Sequence, residues 1–212
     1  MAPAEPCLCL DGSVRGQLRV GVLSGGAWLA ESSASSDPAE SIQPCVEQAL
    51  RAAGLRLADL AAFAVNLGPG SVLGIRATVL SARAWGEVAA RPVLTWSGHL
   101  AAAWLARGTC DAVVSEGRSG HLNVQRVGPG GPVGELAESA PADVAALRLR
   151  PLRGGFRHET ALALGEPLDA WPRLPALLAA HDLLEATERP DALNSPASYA
   201  LWSGRRHQGG DA

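Results

Sequence analysis

The stretch Leu57–Arg76, which reads LADLAAFAVNLGPGSVLGIR, decides the fold of this chain. Its apolar run from Leu60 to Leu67 is interrupted only by Asn66, a pattern typical of a strand buried on both faces. The loop Gly68–Ser71 follows, in which glycines permit a sharp turn and the final serine is suited to cap a helix. A helix is then predicted from about Gly74 to Ala89. The stretch therefore predicts a buried strand, a tight loop and a helix in direct succession.

The residues on either side of this stretch extend the pattern. Upstream, short apolar or alternating runs predict strands at 7–11, 16–23 and 27–34 and an amphipathic helix that ends at Gly54. Downstream, a strand is predicted at 92–95 and a helix at about 97–107. The element order βββαβαβα matches the ribonuclease-H-like half of the actin/sugar-kinase/heat-shock superfamily. We therefore expect an α/β protein with a ribonuclease-H-like N-terminal lobe at residues 1–108.

The second half of the chain repeats the beginning of this pattern in reduced form. Predicted strands at 111–116 and 122–127 restart a meander, after which the periodicity is poor until a helix predicted at about 174–186. We expect a reduced C-terminal lobe of similar type at 109–190 and a polar tail at 191–212. The role of residues 128–172 and of the tail stays open at this point.

Composition and charge exclude several function classes. The chain contains no lysine, which excludes the phosphate loop of the GxxxxGK[ST] type. Its net charge of −3 predicts no general attraction to nucleic acid, so a role in RNA chemistry would run through a partner. The five histidines are far apart in sequence and form neither HxxxH nor HExxH, so no metal site and no catalytic residue are predicted.

The chain also shows no feature of an exported or membrane protein. The N-terminus has no basic start followed by a long apolar run, and no window approaches the length of a membrane span. The four cysteines are scattered without a zinc-like pair of pairs, so we expect them to be reduced and buried. A cytoplasmic protein without membrane association is expected.

Four segments together resemble the TsaB (YeaZ) family. The strand and loop at 57–76 are similar to the family's GPGSFTGLR signature, and Asp11-Gly12-Ser13 stands where the family has Asp-Thr-Ser. The helix around Pro44 resembles the family's first helix, and Glu116–Gly120 falls where the family has an Asp-Ala-Arg-x-Gly turn. The resemblance covers about residues 7–127. The signature-loop residues are Gly68, Pro69, Gly70, Ser71, Gly74 and Arg76.

The chain departs from the family pattern at several positions. Val72-Leu73 replace the Phe-Thr of the signature, and Ala39-Glu40 stand where the family has a histidine before its first helix. Glu116 replaces the aspartate of the second lobe, and His121-Leu122-Asn123 replace a Glu-Val-Tyr. These differences are typical of a divergent member or of a relative whose role has shifted.

The resemblance implies a scaffold role in tRNA modification. A protein of this family would bind and stabilise a TsaD-type catalytic subunit that transfers the threonylcarbamoyl group to N6 of adenosine 37 of tRNA, and a TsaE-type ATPase would complete the assembly. The chain would bind no cofactor of its own, ATP would be held only at a complex interface, and tRNA would be contacted only indirectly. The implied partner interface lies on two helices and comprises Ile42, Val46, Ala49, Ile75, Thr78, Val79 and Ala82.

Two alternatives come from other function classes. Asp11, Ser13, Glu116 and Arg118 predict a vestigial nucleotide site. In an independent small-molecule kinase or ATPase, Asp11, the loop Gly68–Ser71 and Glu116 would form a working one. Amide groups of the Gly68–Ser71 loop could hold an anion there, or the loop could be a plain strand-to-helix turn. The other alternative is a homodimeric binding module that pairs through the same two helices.

Overall fold

The first sheet of the computed structural model, which describes residues 3–156 and 160–187, is the ribonuclease-H-like sheet expected from the sequence. β1 pairs antiparallel with β2 and parallel with β4, β2 pairs antiparallel with β3, and β5 continues the sheet parallel to β4. The spatial order is β10-β5-β4-β1-β2-β3. The strands are β1 (Cys7–Asp11), β2 (Leu18–Ser24), β3 (Ala27–Ala34), β4 (Ala62–Asn66), β5 (Val93–Trp96) and β10 (Glu185–Ala186).

Two helices, α1 (Pro38–Ala53) and α2 (Val72–Ala89), cover one face of this sheet. Asp37 caps α1 by accepting a hydrogen bond from the Ala39 amide at 2.8 Å, and Gly54 ends it in the left-handed conformation that glycine favours. The buried side of both helices joins the leucines and valines of β1, β2 and β4 in one hydrophobic core. Among the described residues, this core has 16 buried residues and is slightly larger than the one on the opposite face of the sheet, which has 14.

A second core lies on the opposite face of the same sheet. It contains α3 (Gly98–Leu105) and α5 (Leu174–Ala180), with Trp171 packed beside them. Trp171 stacks on Trp28 with ring centroids 4.7 Å apart, and its indole nitrogen donates to Glu31 at 2.6 Å. The end of the described chain is thus anchored on the first sheet.

The second sheet is a smaller copy of the first. Its order is β8-β7-β6-β9, in which β6, β7 and β8 form an antiparallel meander and β9 is parallel to β6. α3 packs against this sheet as well, so one helix is shared by both lobes. The remaining elements are β6 (Ala112–Glu116), β7 (Leu122–Gly128), β8 (Gly131–Ser139), α4 (Pro141–Val144) and β9 (Leu149–Pro151).

The structure confirms the predicted fold class and corrects the second half of the chain. The stretch of poor periodicity after Gly128 contains β8, α4 and β9; β8 escaped prediction because most of its side chains are exposed and give no apolar alternation. The helix predicted at 174–186 ends at Ala180, and residues 185–186 instead form the edge strand β10 of the first sheet. The predicted tail at 191–212 lies outside the described residues. No helix in the described ranges is long and apolar enough to cross a membrane.

Candidate functional site

The signature loop lies at the carboxyl end of β4, where it packs backbone to backbone against the loop after β1. A Cβ atom added to Gly74 would lie 2.2 Å from the carbonyl oxygen of Gly12, and one added to Gly70 would lie 2.3 Å from that of Ser13. Gly68 has a φ of 84°, which only glycine adopts readily. The glycines of the signature are therefore required by close backbone contact between two loops.

Asn66 organises this corner of the molecule from the end of β4. Its side-chain oxygen accepts hydrogen bonds from the amides of Gly68 at 2.9 Å and Gly98 at 3.0 Å. Its side-chain nitrogen donates to Asp11 at 3.1 Å and to the Ser13 hydroxyl at 3.2 Å. Asn66 was not among the predicted site residues. Its position, a polar residue within an otherwise apolar strand, could have indicated that its side chain has buried hydrogen-bond partners.

The amides at the start of α2 are used within the protein. The Ser71 amide donates to the carbonyl oxygen of Ser13 at 2.7 Å, and the Ser71 hydroxyl accepts from the Gly74 amide at 3.4 Å. The predicted cap by Ser71 is therefore present. These contacts favour the plain strand-to-helix turn over an anion site, because two of the donors that an anion would need already have partners.

A cleft of about 630 Å³ separates the signature loop from the second lobe. Of the residues predicted to form a nucleotide site, Ser13 and Glu116 line this cleft from opposite sides. Asp11 lines a neighbouring cavity of about 60 Å³, and Arg118 lies in the exposed turn after β6, outside both linings. The signature residues that line the cleft are Pro69, Gly70, Ser71 and Gly74, whereas Gly68 and Arg76 do not.

The two lobes touch at the mouth of the cleft and are joined by an ion-pair cluster. Gly154 packs so closely on Val14 that an added Cβ would lie 2.5 Å from a Val14 methyl carbon. Arg19 of β2 makes a two-pronged ion pair with Asp169, at 2.7 and 2.9 Å, and Arg153 contacts the same carboxylate at 3.3 Å. Burial opposes the charge of Arg19, but its hydrogen bonds to Asp169 and the negative charge of that carboxylate raise its pKa. The lobes are therefore held together by direct contacts.

A buried histidine lies between the lobes. His99 near the start of α3 is fully buried, and its Nε2 is 3.0 Å from the hydroxyl of Ser115 on β6. Asn123 donates to the same hydroxyl at 3.3 Å. Burial lowers the pKa of His99 to about 3, and its Nδ1 has no hydrogen-bond partner in the described part of the chain. His99 is therefore neutral at physiological pH.

The predicted partner-interface residues need correction, because all of them are buried. The seven are 0–4% exposed and belong to the core between the helices and the first sheet: Ile42, Val46, Ala49, Ile75, Thr78, Val79 and Ala82. The periodicity that selected them identifies the face of each helix that packs on its own sheet. An interface on these two helices would instead need the side chains on their outer faces.

The outer face of α2 carries a row of apolar side chains beside the charged residues Arg76, Arg83 and Glu87. Leu73, Leu80 and Val88 are 65%, 63% and 88% exposed. Ala77 and Ala84 lie between them at helical spacing, and Ala84 is also exposed. These five residues form one stripe, hereafter the α2 stripe.

The described histidine, cysteine and carboxylate side chains do not form a metal-ion site. Within residues 3–156 and 160–187, no group of three or more histidine, cysteine, aspartate or glutamate side chains is placed to hold a metal ion. His158 and His207 lie outside the described residues. All four cysteines are buried and form no disulfide. The hydrogen bond between the Cys7 and Cys9 thiols, together with burial, raises the pKa of Cys9.

Comparisons with known proteins connect this geometry to two related groups. A family model described as TsaD, tRNA N6-adenosine threonylcarbamoyltransferase, matches residues 32–135. The tRNA N6-adenosine threonylcarbamoyltransferase of Paracoccus denitrificans (strain Pd 1222) is 33% identical over 141 residues, which cover 60% of this chain and 39% of that protein. The match therefore spans less than half the length of this curated relative.

The solved structures resemble the chain over nearly its whole length. YeaZ from Pseudomonas aeruginosa superposes with a TM-score of 0.64 at 20% identity, covering 89% of this chain and 99% of that one. A second structure from Pseudomonas aeruginosa, of a protein described as similar to peptidase YeaZ, gives a TM-score of 0.61 at 21% identity and covers 88% of this chain and 98% of that one. The chain therefore has the two-lobed fold of YeaZ, as its resemblance to the TsaB (YeaZ) family predicted.

Proposed function

We propose that this chain is a divergent TsaB-type subunit, a non-catalytic protein that binds and stabilises a TsaD-type catalytic subunit in the synthesis of N6-threonylcarbamoyladenosine in tRNA. The proposal is supported by the YeaZ fold and by the match of residues 32–135 to the TsaD family model. The negative net charge of −3 suits a subunit that meets tRNA only through its partner. Such a role places the protein in the cytoplasm, with no membrane contact.

The α2 stripe is the observation that carries the proposal. Leu73 and Leu80 are seven residues apart, about two helical turns, so their side chains lie nearly in line on one face. Burying one such leucine in an interface contributes about 1.5–3 kcal/mol. The two leucine side chains contribute nothing to the chain's own core, and an exposed row of apolar side chains along an 18-residue helix is typical of a surface that binds another protein. It fits a partner that packs a helix of its own against this face.

The surface beside the stripe has the composition of an interface. A groove of about 440 Å³ runs between α1 and α2, where the apolar side chains of Leu55, Leu57 and Trp85 are half-buried. Gln43 and Glu47, exposed on α1, form part of its rim. An apolar centre with a polar rim is typical of protein–protein interfaces, and a half-buried tryptophan is a frequent anchor in them.

The proposed assembly includes further members. A TsaE-type ATPase would join the pair, and any ATP would be held at the interface of that complex rather than by this chain alone. Without a TsaD-type partner, the same stripe would pair two copies of the chain into a homodimer, because an exposed apolar face tends to be covered.

Co-expression tests the proposal. The chain is co-expressed with the TsaD-type subunit of the same organism, and the purified material is examined by size-exclusion chromatography with light scattering. We expect a 1:1 complex. Leu80→Arg should weaken it about 30-fold or more, which corresponds to a loss of about 2 kcal/mol at a central contact. The matched control is Leu29→Arg, because Leu29 is 52% exposed on β3, outside the α2 stripe and outside the lining of the groove beside it.

The two variants separate a specific interface from a general effect. Equal weakening by Leu29→Arg and Leu80→Arg would reject the α2 stripe as the interface. Folded wild-type chain that forms no complex with the TsaD-type subunit would reject the scaffold role. A 2:2 complex that Leu80→Arg leaves unchanged would show that the stripe serves neither heterodimer nor homodimer.

The interlobe cleft favours one alternative function, an independent small-molecule kinase or ATPase. The cleft brings Ser13, Ser71 and Glu116 together, and Arg153 lines it as a cation for an anionic ligand. Thermal unfolding with and without saturating Mg-ATP discriminates the two functions, because ligand present at 100 times its Kd stabilises a protein by about 2.7 kcal/mol. The scaffold proposal expects no shift for the isolated chain, and a shift abolished by Glu116→Gln would support the enzyme.

A further inference from the structure

A groove with an apolar floor and an acidic rim lies on the side of the molecule where the edges of the two sheets meet. Its volume is about 590 Å³, and it runs between β5 and β10 of the first sheet and β8 of the second. Trp96, Leu100 and Leu183 supply apolar side chains to its lining. We call it the acidic groove; its other lining residues are Leu67, Pro69, Thr95, Ser97, Asn123, Glu135, Leu136, Ala137, Glu138 and Glu185.

The charge of the acidic groove is one-sided. Glu135, Glu138 and Glu185 are exposed, and the lining includes no arginine or histidine. Three carboxylates around an apolar floor favour an occupant that carries both apolar side chains and positive charge. Its apolar side chains would cover the floor, and its positive charge would reduce the repulsion between the three carboxylates. The groove belongs neither to the interlobe cleft nor to the α2 stripe, since it shares no lining residue with the stripe and only Pro69 with the cleft.

The chain itself supplies a segment of this chemistry close to the groove. β10 pairs with β5 through Glu185 and Ala186, and the described residues end at Thr187, immediately beyond the rim. Residues 188–212 follow, and the part from 196 to 210 contains no aspartate or glutamate. Within it stands the sequence Tyr199–Arg206, YALWSGRR, which combines two aromatic side chains and a leucine with two arginines.

We propose that residues 199–206 of this chain bind in the acidic groove. The aromatic and leucine side chains would fill the apolar floor, and Arg205 and Arg206 would pair with the glutamates of the rim. Tyrosine, tryptophan and arginine are the residue types that contribute most at interfaces. Only the 11 residues 188–198 separate Thr187 from Tyr199, so the tether holds the segment near the groove at about millimolar effective concentration, and a weak intrinsic affinity is enough.

The binding would connect the end of the chain to the signature loop. Leu67 and Pro69, which flank the first glycine of that loop, form part of the groove lining. A segment bound there would cover the outer side of the loop as well as the edge strand β10. Covering an edge strand also removes exposed backbone groups that otherwise pair with other chains.

Disulfide trapping in the full-length chain tests this inference. One variant combines Ala137→Cys in the groove with Ser203→Cys, and the control combines Ser33→Cys with Ser203→Cys. Ala137 and Ser33 are both exposed, and the four native cysteines are buried, so the introduced thiols react first. Ser33 lies on β3, at the opposite edge of the first sheet from β10. The 16 peptide units from Thr187 to Ser203 span up to about 50 Å when extended, so Ser203 can reach either position.

The rates of intramolecular disulfide formation decide the outcome. We expect the disulfide of the groove pair to form at least about tenfold faster than that of the control pair. Adding Arg205→Glu and Arg206→Glu to the groove pair should lower its rate of disulfide formation to that of the control pair. Mass spectrometry identifies the linked peptides and distinguishes a bond within one chain from a bond between two. Equal rates for the two pairs, or a groove disulfide that forms only between chains and disappears on dilution, would overturn the proposal.

Discussion

The buried histidine between the lobes makes the protein sensitive to mild acid. His99 is fully buried, and burial lowers its pKa from an ordinary value of 6.5 to about 3. The unfolded chain therefore binds the proton before the folded chain does. The free energy of unfolding is therefore unaffected by the titration of His99 above pH 6.5, and it falls as the pH drops below that value. The loss continues until the pH reaches about 3.

The size of the loss follows from the two pKa values. Between pH 7.5 and pH 5.0 the free energy of unfolding should fall by about 2 kcal/mol through His99 alone, and by about 4 to 5 kcal/mol once the pH is below the folded pKa. Ion-paired carboxylates such as Asp59 and Asp111 have lowered pKa values, so their contribution is lost at lower pH. The range from pH 7.5 to 5.0 therefore separates the contribution of His99 from that of these carboxylates.

Urea unfolding at several pH values measures this effect. The wild type is compared with His99→Gln, which removes the titrating group and keeps a side chain able to hydrogen-bond Ser115. We expect the variant to be less stable than the wild type at pH 7.5 but to lose less than about 0.5 kcal/mol on going to pH 5.0. The matched control is Ser115→Ala, which removes the partner of Nε2, keeps the imidazole and should preserve the pH dependence.

Two results would refute this reasoning. Parallel stability profiles for the wild type and His99→Gln would show that the ring does not control the loss in this range. An imidazole signal of His99 that titrates in the folded protein near pH 6.5, measured by nuclear magnetic resonance, would show that the ring is not held neutral by burial.

Two pairs of variants, each a test and its control, probe the contacts that hold the fold. Gly74→Ala should destabilise the protein by at least about 2 kcal/mol in denaturant unfolding, because the added methyl would lie 2.2 Å from a carbonyl oxygen of the loop after β1. Gly130→Ala, in open space, should change stability by less than about 0.5 kcal/mol, and equal effects would contradict the loop packing. Asp169→Asn should cost about 2 kcal/mol by weakening the two-pronged contact with Arg19, whereas Asp59→Asn in an exposed pair should cost less than about 1 kcal/mol. A reversed order of these two losses would show that the interlobe ion pair does not stabilise the protein.

Local pattern predicted the N-terminal lobe well. Its strands alternate or are continuously apolar, and its turns carry glycine, so the meander, α1 and α2 could be recognised from neighbouring residues alone. Ser71 was predicted to cap α2, and its side chain accepts a hydrogen bond there. β8 was missed because an exposed edge strand has little apolar periodicity. β10 was read as helix because leucine and alanine before it favour helix locally, whereas pairing with β5 decides its conformation.

The candidate site shows the same division. The glycines, Ser13 and Glu116 were selectable from sequence, but their meeting across one cleft depends on how two lobes pack. The role of Asn66 needed the structure, because its four partners come from three different segments.

The sequence by itself determined the fold class, the signature loop and the amphipathic character of α1 and α2. Helical periodicity identifies an apolar face, yet it does not say whether that face packs on the chain's own sheet or on a partner. Only the tertiary structure decided this: Val79 is buried in the core, whereas Leu80, the next residue, is 63% exposed. The same holds for His99 and the acidic groove, whose properties arise from residues brought together across the two sheets. Burial and local charge depend on which residues are neighbours in space, and the order of residues along the chain does not reveal those neighbours.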